Sequence, residues 1–203
     1  LRNAANVKLN QARHGLSLDE LVAAAQGCQI IVSSRDAAAP AQLFERLPEL
    51  AAFCRVAVDI RNIDVDAASR HGVLVTHATP GFDTSVAEWV IGVMIDLSRG
   101  LSRAAADYWQ GRTPQIAMGR ELRGSTLGIV GYGFIGKRLA GMARALNMQV
   151  LVSDPLVSIQ ESGIEQVPFE RLLSASDYVV CLAPAGLQTL NLFDAGAFKC
   201  MQP

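Results

Sequence analysis

One stretch constrains this chain more than any other. Leu127-Gly128-Ile129-Val130 runs into Gly131-Tyr132-Gly133-Phe134-Ile135-Gly136, and a helical pattern continues from Phe134 to Leu146. A short β-branched strand that ends on G-x-G-x-x-G and opens a helix is the turn that seats a dinucleotide pyrophosphate. Gly131 admits the tight turn, Gly133 has no side chain to keep backbone N–H groups from the phosphates, and Gly136 lets the helix pack closely on the strand. The helix aims its positive N-terminal end at the same phosphates. The next apolar run, Gln149 to Ser153, ends in Asp154, 18 residues beyond Gly136. A carboxylate there receives the adenine-ribose hydroxyls and repels a 2′-phosphate, so NAD is expected rather than NADP. A further strand, Tyr178 to Leu182, leads into Ala183 and Pro184 at the strand ends, where ligands of such sheets bind. Both are candidates for the adenosine side, and Pro184 reads equally well as a strand terminator.

Upstream, short β-branched runs alternate with helical patterns, which predicts a parallel-sheet α/β protein. Helices are expected over Leu18–Ala25 with Ser17 or Asp19 near the N-cap, around Ala41 to Leu47, and over Val65–Arg70 up to His71-Gly72. Strands are expected at Gln29–Ser33, within Phe53–Val58 and at Val73–Thr76. The run from Thr84 to Leu97 sets Val86, Val90, Val93 and Leu97 at helical spacing and predicts a long, largely buried helix. A second helix follows over Leu101 to Gln110 before Gly111-Arg112-Thr113-Pro114 breaks the pattern.

Half the residues are apolar, 18% are charged and the formal net charge is −1, without runs of Lys or Arg. That composition supplies a core and excludes a disordered chain or the basic footprint of a nucleic-acid binder. Cys28, Cys54, Cys181 and Cys200 form no C-x-x-C pair; they read as reduced, small packing residues rather than a metal site or disulfide framework. The start has no signal-peptide core, and Val86 to Leu97 carries Glu88 and Asp96 and is too short to span a bilayer, so a cytoplasmic protein is expected. No cluster has metal-ligand spacing. Of the three histidines, His71 reads as a helix-end residue whose imidazole meets terminal carbonyls, and His77 follows a strand, where a cleft role stays open.

Further stretches carry a resemblance. Asn62-Ile63-Asp64-Val65-Asp66-Ala67-Ala68 precedes His71-Gly72-Val73-Leu74-Val75-Thr76; Thr84-Ser85-Val86-Ala87-Glu88 follows, then Gly119 to Gly131, Asp154-Pro155 and Ala183-Pro184. In this order the chain resembles the D-isomer-specific 2-hydroxyacid dehydrogenases, particularly the phosphoglycerate dehydrogenase-like branch, from about residue 15 to its end. The resemblance implies a flavodoxin-like substrate domain (1–82) and a Rossmann-type, doubly wound NAD-binding domain (83–203) with a cleft between them. It implies hydride transfer between the nicotinamide and a small 2-keto or D-2-hydroxy acid. It places Phe134 and Ile135 over the pyrophosphate, Asp154 and Pro155 at the adenine ribose, and Ala183 and Pro184 in the adenosine pocket. The helix from Thr84 would be the interdomain helix, its start beside the nicotinamide, and the protein a homodimer built through this region.

The sequence departs from the family pattern in three places. The family's catalytic Arg, Glu and His are expected beyond Pro203 and its first substrate-domain strand before Leu1, so no catalytic residue is assigned. The segment Arg55-Val56-Ala57-Val58-Asp59-Ile60-Arg61-Asn62 is bulkier than the family's Gly-rich loop, whose N–H groups receive the substrate carboxylate. In Tyr108-Trp109-Gln110-Gly111-Arg112 the Trp precedes the Gly, and Trp109 reads as packing. The altered loop keeps open a second expectation, an NAD(H)-sensing co-repressor on the same fold, since fold alone does not fix function.

Overall fold

The alternation of β-branched runs and helical stretches becomes two parallel sheets, one in each of two units, Leu1–Pro80 and Gly81–Pro203. The computed structural model describes residues 5–12, 14–79, 81–115 and 117–202.

In the first unit, α1 (Leu18–Ala25) begins at a capping box: the Ser17 hydroxyl accepts the N–H of Glu20, and the Glu20 carboxylate accepts the N–H of Ser17 at 2.8 Å. Next come β1 (Ile30–Ser33), α2 (Ala41–Arg46), β2 (Ala52–Arg55), α3 (Val65–Arg70) and β3 (Leu74–Thr76). The strands lie parallel in the order β1-β2-β3, with Ile31 beside Phe53 and Phe53 beside Val75. Leu43, Phe44 and Phe53 are fully buried, and the two rings meet edge-on at 6.4 Å. The second strand stops at Arg55 instead of running toward Val58. Its partner β1 ends opposite, at Ser33, and the Arg55 guanidinium draws the chain into a knot of loop carbonyls. At the end of α3, the backbone N–H of His71 rather than its imidazole meets the last carbonyls.

The second unit opens with α4 (Asp83–Arg99) and α5 (Leu101–Trp109). Then follow β4 (Thr126–Val130), α6 (Phe134–Ala145), β5 (Gln149–Ser153), β6 (Glu165–Gln166), α7 (Phe169–Ala175), β7 (Tyr178–Cys181) and α8 (Ala195–Cys200). The all-parallel sheet has the order β6-β5-β4-β7, so the chain starts at β4, winds outward through β5 and β6, and returns to the other side of β4. Leu127, Ile129, Val150 and Val152 pack with residues of α4 and α6 on one face; Val130 and Leu151 pack with α7 and α8 on the other. Helices on both faces make this a doubly wound sheet, with its switch point between β4 and β7.

Three expectations need correction. The inward face of α4 is Ala87, Val90, Met94 and Ser98, not the Val86–Leu97 stripe, and the helix is only half covered. Ser98 can sit inside because its hydroxyl donates to Met94 O at 2.7 Å and shares a 2.5 Å hydrogen bond with the Tyr178 hydroxyl. Leu97 is left 72% exposed. Trp109 is 90% exposed and packs into no core, because α5 buries no residue in this unit. The cysteines are packing residues only in part: half-buried Cys28 packs against the first unit's core, Cys54 is half-buried, Cys181 and Cys200 are exposed, and all four are free thiols. Among the described residues no helix is long and apolar enough to cross a membrane, and no group of His, Cys, Asp or Glu could hold a metal ion.

Candidate functional site

The switch point of the second sheet is where the glycine turn forms. Gly131 leaves β4 at φ 97°, a left-handed conformation that L side chains rarely adopt. A Cβ there would lie 2.7 Å from the backbone nitrogen of Ala183, and one on Gly136 would lie 2.5 Å from the carbonyl oxygen of Gly131. The turn is therefore pressed between the start of α6 and the end of β7, and only backbone fits. Gly133 is different: nothing stands within 4 Å of the place its Cβ would take. Phe134 and Ile135 follow in the first turn of α6, Phe134 exposed and Ile135 half-buried.

Asp154, just past β5, reaches back to this turn. Its Oδ2 accepts the N–H of Tyr132 at 2.7 Å, and its Oδ1 accepts the N–H of Leu156 at 2.8 Å. A carboxylate oxygen can accept more than one hydrogen bond, so both retain capacity toward a hydroxyl ligand. The carboxylate is half-buried at the wall of a cavity of about 1200 Å³. Five of the residues expected at the site line that cavity: Gly131, Asp154, Pro155, Ala183 and Pro184. Gly133, Phe134, Ile135 and Gly136 stand outside its wall, at the head of α6.

No sequence signal marked the remainder of the wall. It consists of Gln166, Val167, Pro168, Phe169 and Glu170, where β6 passes into α7, and of residues 185–189 and Leu192 beyond β7. A two-residue strand has no periodicity to reveal it. Neither Lys nor Arg is among the cavity's lining residues, whose charged members are Asp154 and Glu170. In the first unit, His77 keeps its Nδ1 3.0 Å from the carbonyl of Ala78.

Tyr132, which occupies an unspecified position of the G-x-G-x-x-G pattern, is 2% exposed and belongs to the core between α4, α6 and the sheet. Burial, reinforced by nearby Glu161, pushes its phenol up to about 12. The hydroxyl has no hydrogen-bond partner among the described residues. The ring thus anchors the turn from below while Asp154 holds its N–H from the side. At the start of α4, Asp83 accepts Arg138 Nε of α6 at 3.1 Å, and that bond holds its carboxyl below the usual range.

In the first unit, the bulky loop after β2 closes on itself. The Arg61 side chain holds the Asp59 carboxylate through Nε at 3.0 Å and Nη2 at 2.8 Å, and these hydrogen bonds keep Asp59 far below the ordinary carboxylate range. The charge that stands in the glycine-poor loop is thereby neutralised locally.

The residues of the second unit fit a dinucleotide. The glycine cradle leaves open space at Gly133, the head of a twelve-residue helix follows, and a carboxylate with spare acceptor capacity stands at the switch-point cavity. Residues 91–203 match the D-isomer specific 2-hydroxyacid dehydrogenase NAD binding domain. The chain belongs to this family, and the second unit contains its NAD-binding domain.

Phosphoglycerate dehydrogenases are among its relatives. The D-3-phosphoglycerate dehydrogenase of Archaeoglobus fulgidus is 31% identical over 196 residues, which cover 95% of this chain and 37% of that protein. The (S)-sulfolactate dehydrogenase of Chromohalobacter salexigens is 34% identical over 188 residues, covering 90% of this chain and 61% of that one. The chain therefore spans between about a third and three fifths of these relatives' length. Among solved structures, the Aquifex aeolicus D-lactate dehydrogenase complexed with NAD and lactic acid superposes with a TM-score of 0.80 at 26% identity, over 92% of this chain and 56% of that one.

Proposed function

We propose that this protein is an NAD-dependent oxidoreductase that interconverts a D-2-hydroxy acid and its 2-keto acid, phosphoglycerate dehydrogenase- or hydroxypyruvate reductase-like in substrate. The observation that carries the reading is the glycine turn locked to Asp154 at the mouth of the switch-point cavity. Gly131, Gly133, Phe134, Ile135 and Gly136 would hold the pyrophosphate, Asp154 and Pro155 the adenine ribose, and Ala183 and Pro184 the adenosine side. When bound, the nicotinamide supplies the hydride acceptor or donor. The work of these residues is to fix the dinucleotide's orientation and to exclude NADP, since a 2′-phosphate would meet Asp154 and no lining cation. No catalytic role is assigned within residues 1–203.

Calorimetric titration of the chain tests the cofactor reading. NAD is expected to bind at least tenfold more tightly than NADP, and Asp154→Ala to weaken NAD while bringing the two affinities together. Equal binding by the unaltered chain, or a preference for NADP, would overturn the role given to Asp154. The relatives named above suggest 3-phosphohydroxypyruvate, sulfopyruvate and pyruvate with NADH, and hydroxypyruvate and glyoxylate complete the panel as further small 2-keto acids.

A second reading, an NAD(H) sensor without turnover, is favoured by one observation, the Asp59–Arg61 lock in the loop after β2. It predicts NAD binding with no NADH oxidation on any of these acids.

We further propose a homodimer through the outer faces of α4 and α5, supported by the exposed Trp89, Leu97, Leu101 and Trp109. Sedimentation is expected to give twice the chain mass, and Leu97→Glu with Trp109→Glu to give the monomer. A monomeric unaltered chain at micromolar concentration would contradict this.

A further inference from the structure

Gln166 is one of only two residues in β6, and its pairing with β5 sets it beside Val152. Both N–H donors and the carbonyl oxygen of its side chain are engaged, and all three bonds go to one segment. Its Oε1 accepts the N–H of Ile159 at 3.0 Å, and its Nε2 donates to the carbonyls of Asp154 at 3.0 Å and Val157 at 2.8 Å. An amide side chain is the one group that can accept from one backbone N–H and donate to two carbonyls at once. The segment it gathers, residues 154–159, leaves β5 without regular structure. Apart from the bond between Asp154 and Tyr132, these are the hydrogen bonds that tie the segment to another element among the described residues. Gln166 also lines the cavity, beside the residues it holds.

A chain of contacts results. Gln166 fixes the backbone at Asp154, the Asp154 carboxylate receives the N–H of Tyr132, and Tyr132 is the second residue of the glycine turn. We propose that Gln166 is a positioning residue of the dinucleotide site: it holds the ribose-binding carboxylate and the turn in register before any ligand arrives. The proposal rests on reading the cavity as the NAD site. Its physical basis is preorganisation, in which ordering achieved on folding is not charged against binding.

The test is calorimetric titration of the whole chain with NAD. Gln166→Met keeps the length of the side chain and removes all three hydrogen bonds; it is expected to weaken NAD about tenfold, with circular dichroism unchanged. Gln166→Glu keeps the acceptor for Ile159 but sets a carboxylate against two carbonyl oxygens. At pH 8 it should weaken NAD at least as much. On lowering the pH toward 5 the introduced acid takes up a proton, with a pKa raised above the ordinary ~4.3 by those carbonyls, and its O–H can donate to one of them. The deficit relative to the unaltered chain should then shrink severalfold. Asp154 and Glu170, which face the same cavity, and Glu165, paired with Arg171, are present in both proteins, so the two are compared as a ratio at each pH.

Binding by Gln166→Met within twofold of the unaltered chain would overturn the proposal. So would a Gln166→Glu deficit that does not change with pH, which would mark a packing role only. An unaltered chain that binds no NAD is a separate outcome: it would overturn the cofactor reading itself, and this proposal with it.

Discussion

Gly136→Ala is expected to abolish detectable NAD binding, a loss of at least about a hundredfold, and to lower the stability of the chain by about 2–4 kcal/mol, the range that overpacking against backbone produces. The sign makes this prediction diagnostic. Inside a helix, Gly→Ala ordinarily stabilises by about 0.5–1 kcal/mol, because alanine has less conformational entropy to lose. Gly136 lies in α6, but a Cβ on it would meet the Gly131 carbonyl oxygen at 2.5 Å. That atom is backbone and cannot swing aside. Either α6 lifts off β4 or the turn opens, and both separate the helix N-terminus from the place where phosphates would sit. Two other glycines frame the result. Gly141 lies in the same helix with nothing within 4 Å of its Cβ position, so Gly141→Ala should stabilise in the ordinary way and leave NAD binding unchanged. Gly133 is equally open in the protein, so Gly133→Ala should fold normally while weakening NAD, because its Cβ would intrude only on a ligand. Thermal unfolding and calorimetry on the three variants decide the matter. A Gly136→Ala protein that gains stability and still binds NAD would show that the turn has slack.

The contrast between these glycines also marks what could be read from the sequence. Strand, G-x-G-x-x-G and trailing acid are local signals, and β4, α6, β5 and Asp154 lie where those signals put them. The parallel two-sheet architecture was legible for the same reason, since each run carries its own period and its own caps, such as Ser17 with Glu20. Spacing along the chain could not reveal which face of α4 points inward. The buried face at positions 87, 90, 94 and 98 includes a hydrogen bond between the Ser98 and Tyr178 hydroxyls, which lie eighty residues apart in sequence. The rest of the cavity wall was equally hidden. Gln166 acts through three tertiary hydrogen bonds made from a two-residue strand, and Tyr132 acts by filling core space. Neither has a sequence period.

The largest effect in the first unit is expected at Arg55, whose residue is 2% exposed. Arg55→Met should destabilise by about 2–4 kcal/mol, a fall in melting temperature of about 5–15 °C for a chain of this size. The guanidinium donates to the carbonyls of Ser34 and, at 2.6 Å, Ala37, and at 2.8 Å to Oδ1 of Asn62. Asn62 in turn donates from its side chain to the carbonyl of Arg35 at 3.1 Å. One side chain thus binds the loop after β1 to the loop after β2, and methionine would leave the three acceptors it now serves without their donor. Two terms oppose the loss. The charge has no carboxylate within ion-pair distance among the described residues, so its removal recovers a desolvation cost; the thioether also packs as well as the stem it replaces. The acceptors prevail because an unmade buried hydrogen bond costs about 1–3 kcal/mol apiece, and three are involved. Burial lowers the Arg55 pKa, partly offset by Asp59 and Asp36. A base whose folded pKa is depressed carries its cost at every lower pH, and stability rises only as the pH climbs from the folded to the unfolded pKa, which for arginine lies in the strongly alkaline range. The deficit of Arg55→Met should therefore be constant from pH 5 to pH 9, and Arg55→Lys, which keeps donors but not the planar fork, should recover about half of it. Hydrogen exchange localises the effect: protection should fall across residues 30–64 and persist at β4 and β5. A deficit below about 1 kcal/mol would mean that water serves the three freed acceptors as well as the guanidinium does.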